Sequence, residues 1–286
     1  MYRALLAGVV ALTLMALPNG ARAWSPEAHR VIAHLAYEQL TPTARAAVDD
    51  LIQKAPLQQT PTCQVASIDD ASNWPDCVRA VRGFDSLAAD DYENVPLCGV
   101  VPKIVYCPRG ACLVDETRHA EAVLMDRAKP PLERLRALEE VVQFVADLEQ
   151  PLDTANNGDH RGGDDRVTID GRPSTLRRFW QTDVVEQALG RSEVAAEASL
   201  RSSVKDNANG PWRDGEPFDW LMDSHRLAVS TVYGKLSAPA ACGRPAPPQA
   251  LTKVYLRDAD RVVRQQLAKA AVRLAGVLND SLNSDR

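Results

Sequence analysis

Apolar residues recur every three or four positions along much of this chain, as they do on one face of an α-helix. Two long segments show the pattern best, and they predict helices over about 131–149 and about 252–279. Their apolar positions are Leu135, Leu138, Val142 and Val145 in the first, and Leu256, Val263, Leu267, Ala270, Leu274 and Val277 in the second. Patterns of this length indicate that helices build the core.

Shorter segments extend the helical prediction. Val31 and Leu35 lie on the apolar face of a helix that carries His29. Thr41 and Thr43 are suitable N-caps for the helix that follows. Two more helical patterns cover about 175–189 and about 217–234.

The remaining segments have the composition of loops. Residues 154–165 are rich in Asn, Gly and Asp, and 237–250 contains four prolines, so both are predicted to be irregular. Residues 167–169 form one short candidate strand. No internal repeat or change in composition divides the chain. We therefore predict a mostly α, single-domain fold with a short strand or hairpin.

The first 23 residues have the pattern of a secretory signal peptide. Arg3 precedes an apolar run from Leu5 to Leu17, and Ala21-Arg22-Ala23 is a small-x-small cleavage site. We predict cleavage after Ala23, a domain over 24–286, and a secreted or periplasmic protein. The apolar run is too short to span a membrane, and no long apolar run follows it, so we expect no membrane partner.

Six cysteines are consistent with an oxidising compartment. An even count in an exported chain predicts three disulfides. Cys107 and Cys112 are close enough in sequence to close a local loop. The pairing of the other four is left open: Cys63, Cys77, Cys98 and Cys242.

The net charge of −5 argues against a protein that wraps duplex nucleic acid by broad charge attraction. A small substrate or a single strand held at a metal remains compatible with an acidic surface. We expect a monomer.

Trp24 is a candidate metal ligand if it becomes the first residue. A free α-amine has a pKa of about 8, so near neutral pH part of it is uncharged and able to bind a metal through its nitrogen and its own carbonyl oxygen. His29 lies five residues further on, within reach of the same ion. The alternative is that Trp24 is only an apolar anchor of the core.

Several polar residues lie in or next to the predicted helices. Asp76 is followed three residues later by Arg79, and Gln143 and Asp147 share one face of a helix as an i, i+4 pair. Further along, Asp153 ends a Gln-Pro-Leu-Asp segment, and Arg177 and Gln181 form another i, i+4 pair.

These residues belong to motifs that, in this order, resemble the S1/P1 nuclease family. The resemblance covers most of the chain from Trp24 to Asn279 and rests on these segments: Trp24-x4-His29, Ala-Ser-x-Trp-x-Asp at 71–76, Tyr92-x-Asn94-x-Pro96, Phe144-x-x-Asp147-x-x-Gln-Pro-Leu, Gly162-Gly163, Trp180, Ser224-x-x-Leu-Ala, and Arg273-Leu-Ala-x-x-Leu-Asn279. Each segment is weak alone, and their order is specific.

The resemblance implies a helical phospholipase C/P1 nuclease-like fold with three zinc ions at the bottom of a cleft. Such enzymes hydrolyse phosphodiesters of single-stranded DNA and RNA and remove 3′-phosphates. It also implies that Asp76, Arg79 and Asn94 are catalytic, with Arg79 stabilising the charged transition state. Clustered zinc suits this chemistry because metal-bound water ionises near neutral pH.

Only part of the family's metal-ligand set is present. Trp24, His29, Asp76 and Asp147 match family ligands. The other five of nine ligand positions hold different residue types: Asp91, Gln143, Asp153, Arg177 and Gln181. The resemblance thus implies one complete zinc site, made by Trp24, His29 and Asp147.

The substitutions change the chemistry of the other two sites. The neighbouring site would be formed by Asp76, Asp91, Gln143 and Asp147, whose oxygen atoms suit Mg²⁺, Mn²⁺ or Ca²⁺ better than zinc. The alternatives are a shifted pKa on one of these aspartates, or neutralisation by Arg79 without any metal. Arg177 cannot bind zinc, and we expect it to pair with Asp153 in a vacated third site beside Gln181.

Two functions follow from this reading. The first is hydrolysis of single-stranded nucleic acid or 3′-nucleotides by an exported protein with a reduced or altered metal cluster. The alternative is a catalytically inactive family member that binds a metal, an anion or a nucleotide.

Overall fold

The computed structural model describes residues 23–79, 81, 92–101, 112–190 and 192–283. The predicted signal peptide (apart from Ala23), Asp91 and Cys107 lie outside these ranges, so the structure does not test what was predicted for them.

Helices dominate the described chain, as predicted. Their bounds are α1 Pro26–Glu38, α2 Pro42–Ile52, α3 Ile68–Ala71, α4 Trp74–Arg79, α5 Leu113–Met125, α6 Pro131–Asp147, α7 Leu176–Arg178, α8 Val184–Leu189, α9 Glu193–Asn207, α10 Pro217–Leu227 and α11 Lys253–Leu282. Short 3₁₀ turns cover Ala55–Gln58, Pro151–Thr154 and Pro211–Arg213, and π-helical segments cover Phe179–Asp183 and Ala228–Tyr233.

The core is built around α6 and α11. The 30-residue helix α11 packs against α1, α6, α8 and α9. Leu267, Ala270 and Leu274 of its apolar stripe are fully buried. On α6, Leu138 and Phe144 are buried in the same way. Since a buried leucine or phenylalanine contributes about 1.5–3 kcal/mol, these helices provide a rigid frame for the side chains they carry.

The first turn of α1 is fixed by an N-cap, by a proline and by a hydrogen bond to α6. The Ser25 hydroxyl accepts a hydrogen bond from the Ala28 N–H, and Pro26 occupies the first turn, where a missing N–H costs nothing. The Trp24 indole N–H donates to the Ala146 carbonyl at 2.9 Å. This bond ties the start of α1 to the end of α6.

A small sheet replaces the single predicted strand. Strand β1, Arg166–Ile169, pairs antiparallel with β2, Arg172–Thr175, and parallel with β3, Gln249–Ala250. Asp170 and Gly171 join the first two strands, with φ of 47° and 79°. Two consecutive left-handed residues are typical of a two-residue hairpin turn.

Two disulfides are described, Cys63–Cys77 and Cys98–Cys242. The second joins residues 144 positions apart and anchors the proline-rich connection to the segment that carries Asn94. Cys112 is also disulfide-bonded, and its predicted partner, Cys107, is not among the described residues.

The described helices differ from the sequence prediction in several places, and α3, α4 and α5 were outside the predicted segments. Helix α9 was not predicted, although Ala196, Leu200 and Val204 recur every fourth residue and are buried. The predicted helices at 175–189 and 217–234 are each interrupted or ended by a π-helical segment. No helix of the described chain is both long and apolar enough to cross a bilayer.

Candidate active site

His29 and Asp147 meet between the first turn of α1 and the last turn of α6. The His29 Nε2 lies 3.3 Å from the Asp147 Oδ1, and both side chains are almost fully buried. This pair was predicted from sequence to share a metal with Trp24. The Trp24–Ala146 hydrogen bond holds the start of α1 against the end of α6, and this brings His29 close to Asp147.

Trp24 lies beside this pair. Its ring is completely buried, and the carbonyl of Ala23, the residue before it, accepts a hydrogen bond from the Gln150 side chain at 3.1 Å. The main chain at Trp24 therefore runs along the turn that follows Asp147.

Gln143 bridges two carboxylates of the neighbouring site. Its Nε2 lies 3.3 Å from Asp76 Oδ1 and 3.4 Å from Asp147 Oδ2. Its Oε1 is buried and has no hydrogen-bond partner among the described residues. In this arrangement the amide donates two hydrogen bonds at a position where the family resemblance implies a metal ligand.

Arg79 faces the same cluster from α4. Its NH1 lies 3.3 Å from Asp76 Oδ1, across one turn of the helix. The Asp76 side chain is nearly buried, whereas that of Arg79 is 24% exposed. A guanidinium that contacts a buried carboxylate and still reaches solvent is able to contact an anion that approaches from solvent.

Asp153 forms its short ion pair with Arg161, where the sequence analysis expected Arg177. The Arg161 NH1 lies 2.7 Å from Asp153 Oδ1, and its guanidinium lies 4.2 Å from the centre of the Tyr92 ring. Sequence reasoning missed Arg161 because its role depends on contacts between segments distant in sequence. The only available signal was its place beside Gly162-Gly163.

The backbone of this loop is unusual. His160 and Arg161 have φ of 52° and 59°, a region that residues with side chains rarely adopt. Gly162 follows with φ of 78°, and a Cβ there would lie 3.1 Å from the Arg177 main-chain nitrogen. The Arg177 NH1 donates to the His160 carbonyl at 3.4 Å. The loop therefore brings two arginines to the predicted third site.

Gln181 lies in the π-helical segment after α7 and is partly exposed. A π-helix has more residues per turn than an α-helix, so the i, i+4 relation that was inferred for Arg177 and Gln181 does not hold in its simple form. Such segments are frequent at functional sites.

Asn94 lies against the turn that carries Asp153. Its Oδ1 accepts a hydrogen bond from Asn156 Nδ2 at 3.4 Å, and the neighbouring Glu93 N–H donates to the Asp153 carbonyl at 2.7 Å. Burial raises the pKa of Glu93 to about 7, although the Val114 N–H donates to its carboxylate and opposes the shift.

The described part of the candidate site thus falls into two groups. The first, which we call the helix group, contains His29, Asp76, Arg79, Gln143 and Asp147. The second, the loop group, contains Tyr92, Asn94, Asp153, Arg161 and Arg177.

The helix group has the spacing that a zinc ion requires of two ligands. Ligands about 2.0–2.1 Å from a tetrahedral zinc are separated by about 3.3 Å, which is the distance between His29 and Asp147. No cluster of three or more His, Cys, Asp or Glu side chains suited to a metal occurs within the described ranges. Further ligands would have to come from elsewhere, such as the main chain of Trp24.

Comparison with known proteins defines the class of this chain. The family model described as S1/P1 nuclease matches residues 24–283, and the chain therefore belongs to the S1/P1 nuclease family. The match begins at Trp24 and includes every described residue of both groups. The mostly α fold is that of the phospholipase C/P1 nuclease type.

Several curated proteins are similar over almost their full length. Endonuclease 2 from Arabidopsis thaliana is 24% identical over 93% of this chain and 92% of its own length. Nuclease S1 from Aspergillus oryzae is 22% identical over 94% of this chain and 96% of its own length. Endonuclease 4 from Arabidopsis thaliana is 23% identical over 96% of this chain.

Proposed function

We propose that this protein hydrolyses phosphodiester bonds of single-stranded nucleic acid or of 3′-nucleotides with an altered metal cluster. The observation that carries the proposal is the buried His29–Asp147 pair, 3.3 Å apart, beside the main chain of Trp24. The names of the similar proteins, which are nucleases and endonucleases, support this substrate class.

One zinc ion is proposed at Trp24, His29 and Asp147. Cleavage after Ala23 would free the Trp24 amine, which would complete the ligand set with its own carbonyl oxygen. Zinc bound there would supply a water molecule of lowered pKa and would polarise a phosphate oxygen. The residues of the chain orient the substrate around it.

Arg79 is proposed as the group that stabilises charge on the phosphate during the reaction. Its guanidinium contacts Asp76 and is partly exposed, so it can accept a second anion without moving far. Asn94, in the loop group, is proposed to hold the substrate through its amide. Asp76 orients Arg79 and the attacking water.

Fixed positive charge is proposed in place of the third metal. Arg161 neutralises Asp153, and Arg177 donates to the His160 carbonyl of the same loop, so that both guanidinium groups can bind a phosphate oxygen. Unlike zinc, these groups hold a phosphate but do not activate water. We therefore expect slower turnover than a three-zinc cluster would give.

The neighbouring site is proposed to take a hard cation, Mg²⁺, Mn²⁺ or Ca²⁺. Asp76, Asp91 and Asp147 would supply carboxylate oxygens to it. The Gln143 amide would have to turn its Oε1, which has no hydrogen-bond partner in the described part of the chain, towards the ion.

A second candidate function rests on the observed orientation of Gln143. Its Nε2 bridges Asp76 and Asp147, and Arg79 pairs with Asp76, so the helix group can be neutralised without a second metal. A protein in this state would bind an anion or nucleotide without cleaving it.

One experiment separates the two functions. The chain beginning at Trp24 is purified, its bound metals are counted, and cleavage of single-stranded DNA, RNA and 3′-nucleotides is measured with Zn²⁺, Mn²⁺, Mg²⁺ and Ca²⁺. Turnover that Asp76→Asn abolishes supports the enzyme. Binding of a nucleotide without turnover under any ion supports the binding module and contradicts the first proposal.

Export is proposed from the N-terminal sequence and the disulfides. Expression of the full chain in an exporting host, followed by mass spectrometry of the product, tests it. A product that begins at Trp24 is expected, and any other first residue contradicts the zinc ligand proposed there.

A further inference from the structure

A groove lies beside the loop group, between the β-hairpin and the start of α7. It has a volume of about 280 Å³, near the lower end of the size of small-molecule sites, so it suits a single nucleotide unit. We call it the hairpin groove and define it by the residues Arg166, Pro173, Ser174, Arg178, Pro248 and Gln249.

The hairpin groove is positively charged although the chain as a whole is acidic. Two arginines, Arg166 and Arg178, line it; of the described carboxylates, Asp183 contacts the lining through Ser174 Oγ at 3.1 Å and Arg178 Nε at 3.5 Å. Both arginines are exposed. Within the described ranges no carboxylate forms an ion pair with Arg166, and the one contact of Arg178, with Asp183 at 3.5 Å, is made through Nε. Their terminal nitrogens remain accessible to an anion.

The rest of the lining suits a sugar and a base more than a free inorganic anion. Ser174 and Thr175 contribute hydroxyl groups: Ser174 donates to Asp183 and keeps its oxygen as an acceptor, and Thr175 accepts from the Arg178 N–H and keeps its own proton to donate. Two prolines, Pro173 and Pro248, present flat apolar surface. A nucleotide offers the same combination of a charged phosphate, a polar sugar and an apolar base face.

The groove continues from the candidate active site. Arg166 follows directly on the loop that carries Arg161, and it pairs with Thr175 at the base of the hairpin. The Thr175 hydroxyl caps α7 by accepting from the Arg178 N–H. Because neighbouring residues of a helix point about 100° apart, Arg177 reaches back to the loop while Arg178 faces the groove.

We propose that the hairpin groove binds the phosphate and sugar of a nucleotide that flanks the one held at the candidate active site. This inference rests on the proposed function, because it assumes that the substrate is a strand. It predicts that oligonucleotides bind more tightly than dinucleotides, and that Arg166 and Arg178 account for the difference.

The test measures fluorescence anisotropy of labelled phosphorothioate oligothymidylates, which resist cleavage, with two and eight nucleotides. The double variant Arg166→Gln/Arg178→Gln is compared with the unmodified protein and with Arg257→Gln, an exposed arginine of α11 outside the groove. Unfolding temperatures confirm that all three proteins fold alike.

We expect the double variant to lose about tenfold in affinity for the eight-nucleotide probe and less than about twofold for the dinucleotide. The slope of log affinity against log salt should fall by about 1.4, since each contact with a single-strand phosphate contributes about 0.7. Equal affinities and slopes for the double variant and the unmodified protein would overturn the proposal.

Failure of the proposed function gives a different result. If the unmodified protein binds the longer probe through these arginines but cleaves no natural linkage, binding by the hairpin groove is supported and the proposed hydrolase activity is refuted. If it cleaves natural linkages with a KM that neither strand length nor the two substitutions change, the hydrolase stands and the groove is refuted.

Discussion

The helix group and the loop group, which we propose hold a phosphate together, differ in how their charged side chains are fixed. His29 and Asp147 project from helices that are fixed by buried leucines and by the Trp24–Ala146 hydrogen bond, and they keep the spacing of zinc ligands. In the loop group, a carboxylate is held by a guanidinium. Metal ligands must be placed within a few tenths of an ångström, whereas an arginine tolerates more variation. The rigid helix group therefore suits the proposed metal, and the loop group suits the proposed guanidinium contacts with phosphate.

The largest expected effect is the removal of the carboxylate shared by both metal sites. Asp147→Asn should abolish zinc binding and lower kcat/KM by about 10²–10³-fold, because the charge that anchors the ion is lost. Bound zinc is counted by mass spectrometry and turnover is measured on 3′-nucleotides.

The matched control for this change is Asp115→Asn, an exposed aspartate at the start of α5. It should leave both quantities unchanged. Full zinc content in Asp147→Asn would show that the helix group does not hold the ion.

The loop group is tested by Arg161→Gln, which removes the guanidinium that contacts Asp153 and Tyr92. We expect a loss of about 10–100-fold in kcat/KM, since a charged hydrogen bond to a phosphate contributes about 1.5–3 kcal/mol. Arg161→Lys keeps the charge but not the planar fork, so it should recover only part of the loss. The variant is assayed for phosphate inhibition as well as for turnover.

If Arg161→Gln left phosphate inhibition unchanged, Arg161 would be only a structural partner of Asp153. The loop group would then not bind phosphate, and the proposed difference between the two groups would be wrong.

A gain of function is expected from Gln143→His. An imidazole favours zinc more than an amide does, so the second site should bind zinc at least about tenfold more tightly. Isothermal titration of the metal-depleted protein measures the affinity and the number of sites. An unchanged stoichiometry and affinity would mean that the second site is limited by Asp91 or by geometry.

The smallest expected effect concerns the stability of the loop group. Asp159 and Asp165 are buried side by side; Tyr233 donates to Asp159 at 2.7 Å, and the Ala246 N–H donates to Asp165. Burial, together with the hydrogen bond to Asp159 and repulsion by Asp159 and Asp164, raises the pKa of Asp165 to about 7. The Ala246 hydrogen bond joins this pair to the connection at 241–246, so the protonation of Asp165 affects how the loop is held there.

The sign of the pH effect follows from linkage. The unfolded carboxyl has a pKa of about 3.9, so the folded protein holds a proton that the unfolded chain releases between about pH 4 and 7. The stabilisation is complete below about pH 4 and is lost as the pH rises through about 7. Chemical denaturation should show that the free energy of unfolding is about 2 kcal/mol lower at pH 8 than at pH 5.5, and that Asp165→Asn removes this decrease. The exposed Asp206→Asn on α9 is the control, and an equal decrease in all three proteins would contradict the linkage.

Much of the fold could be predicted because its signals are local. The apolar stripes of α6 and α11, the proline before α6, and the threonine that caps α2 all act within one or two helical turns. The second strand of the hairpin was harder to predict, because Arg172–Thr175 contains a proline and lacks a run of apolar residues.

In the candidate site, sequence predicted only those contacts that lie within one helix. Gln143 and Asp147 share a helix face, so their proximity follows from helical spacing alone. His29 and Asp147 could be paired only through the family resemblance, since 118 residues separate them and no local rule connects α1 with α6.

By itself, the sequence determined the mostly α architecture, the family, and the residue types available for metal binding, because periodicity and ordered motifs are properties of short segments. Only the tertiary structure decided that Arg161 contacts Asp153 at 2.7 Å, and that Arg166 and Arg178 line one groove. These contacts depend on left-handed backbone angles at His160 and Arg161 and on packing between distant segments. Both are fixed by the sum of many weak interactions across the fold, which no local pattern contains.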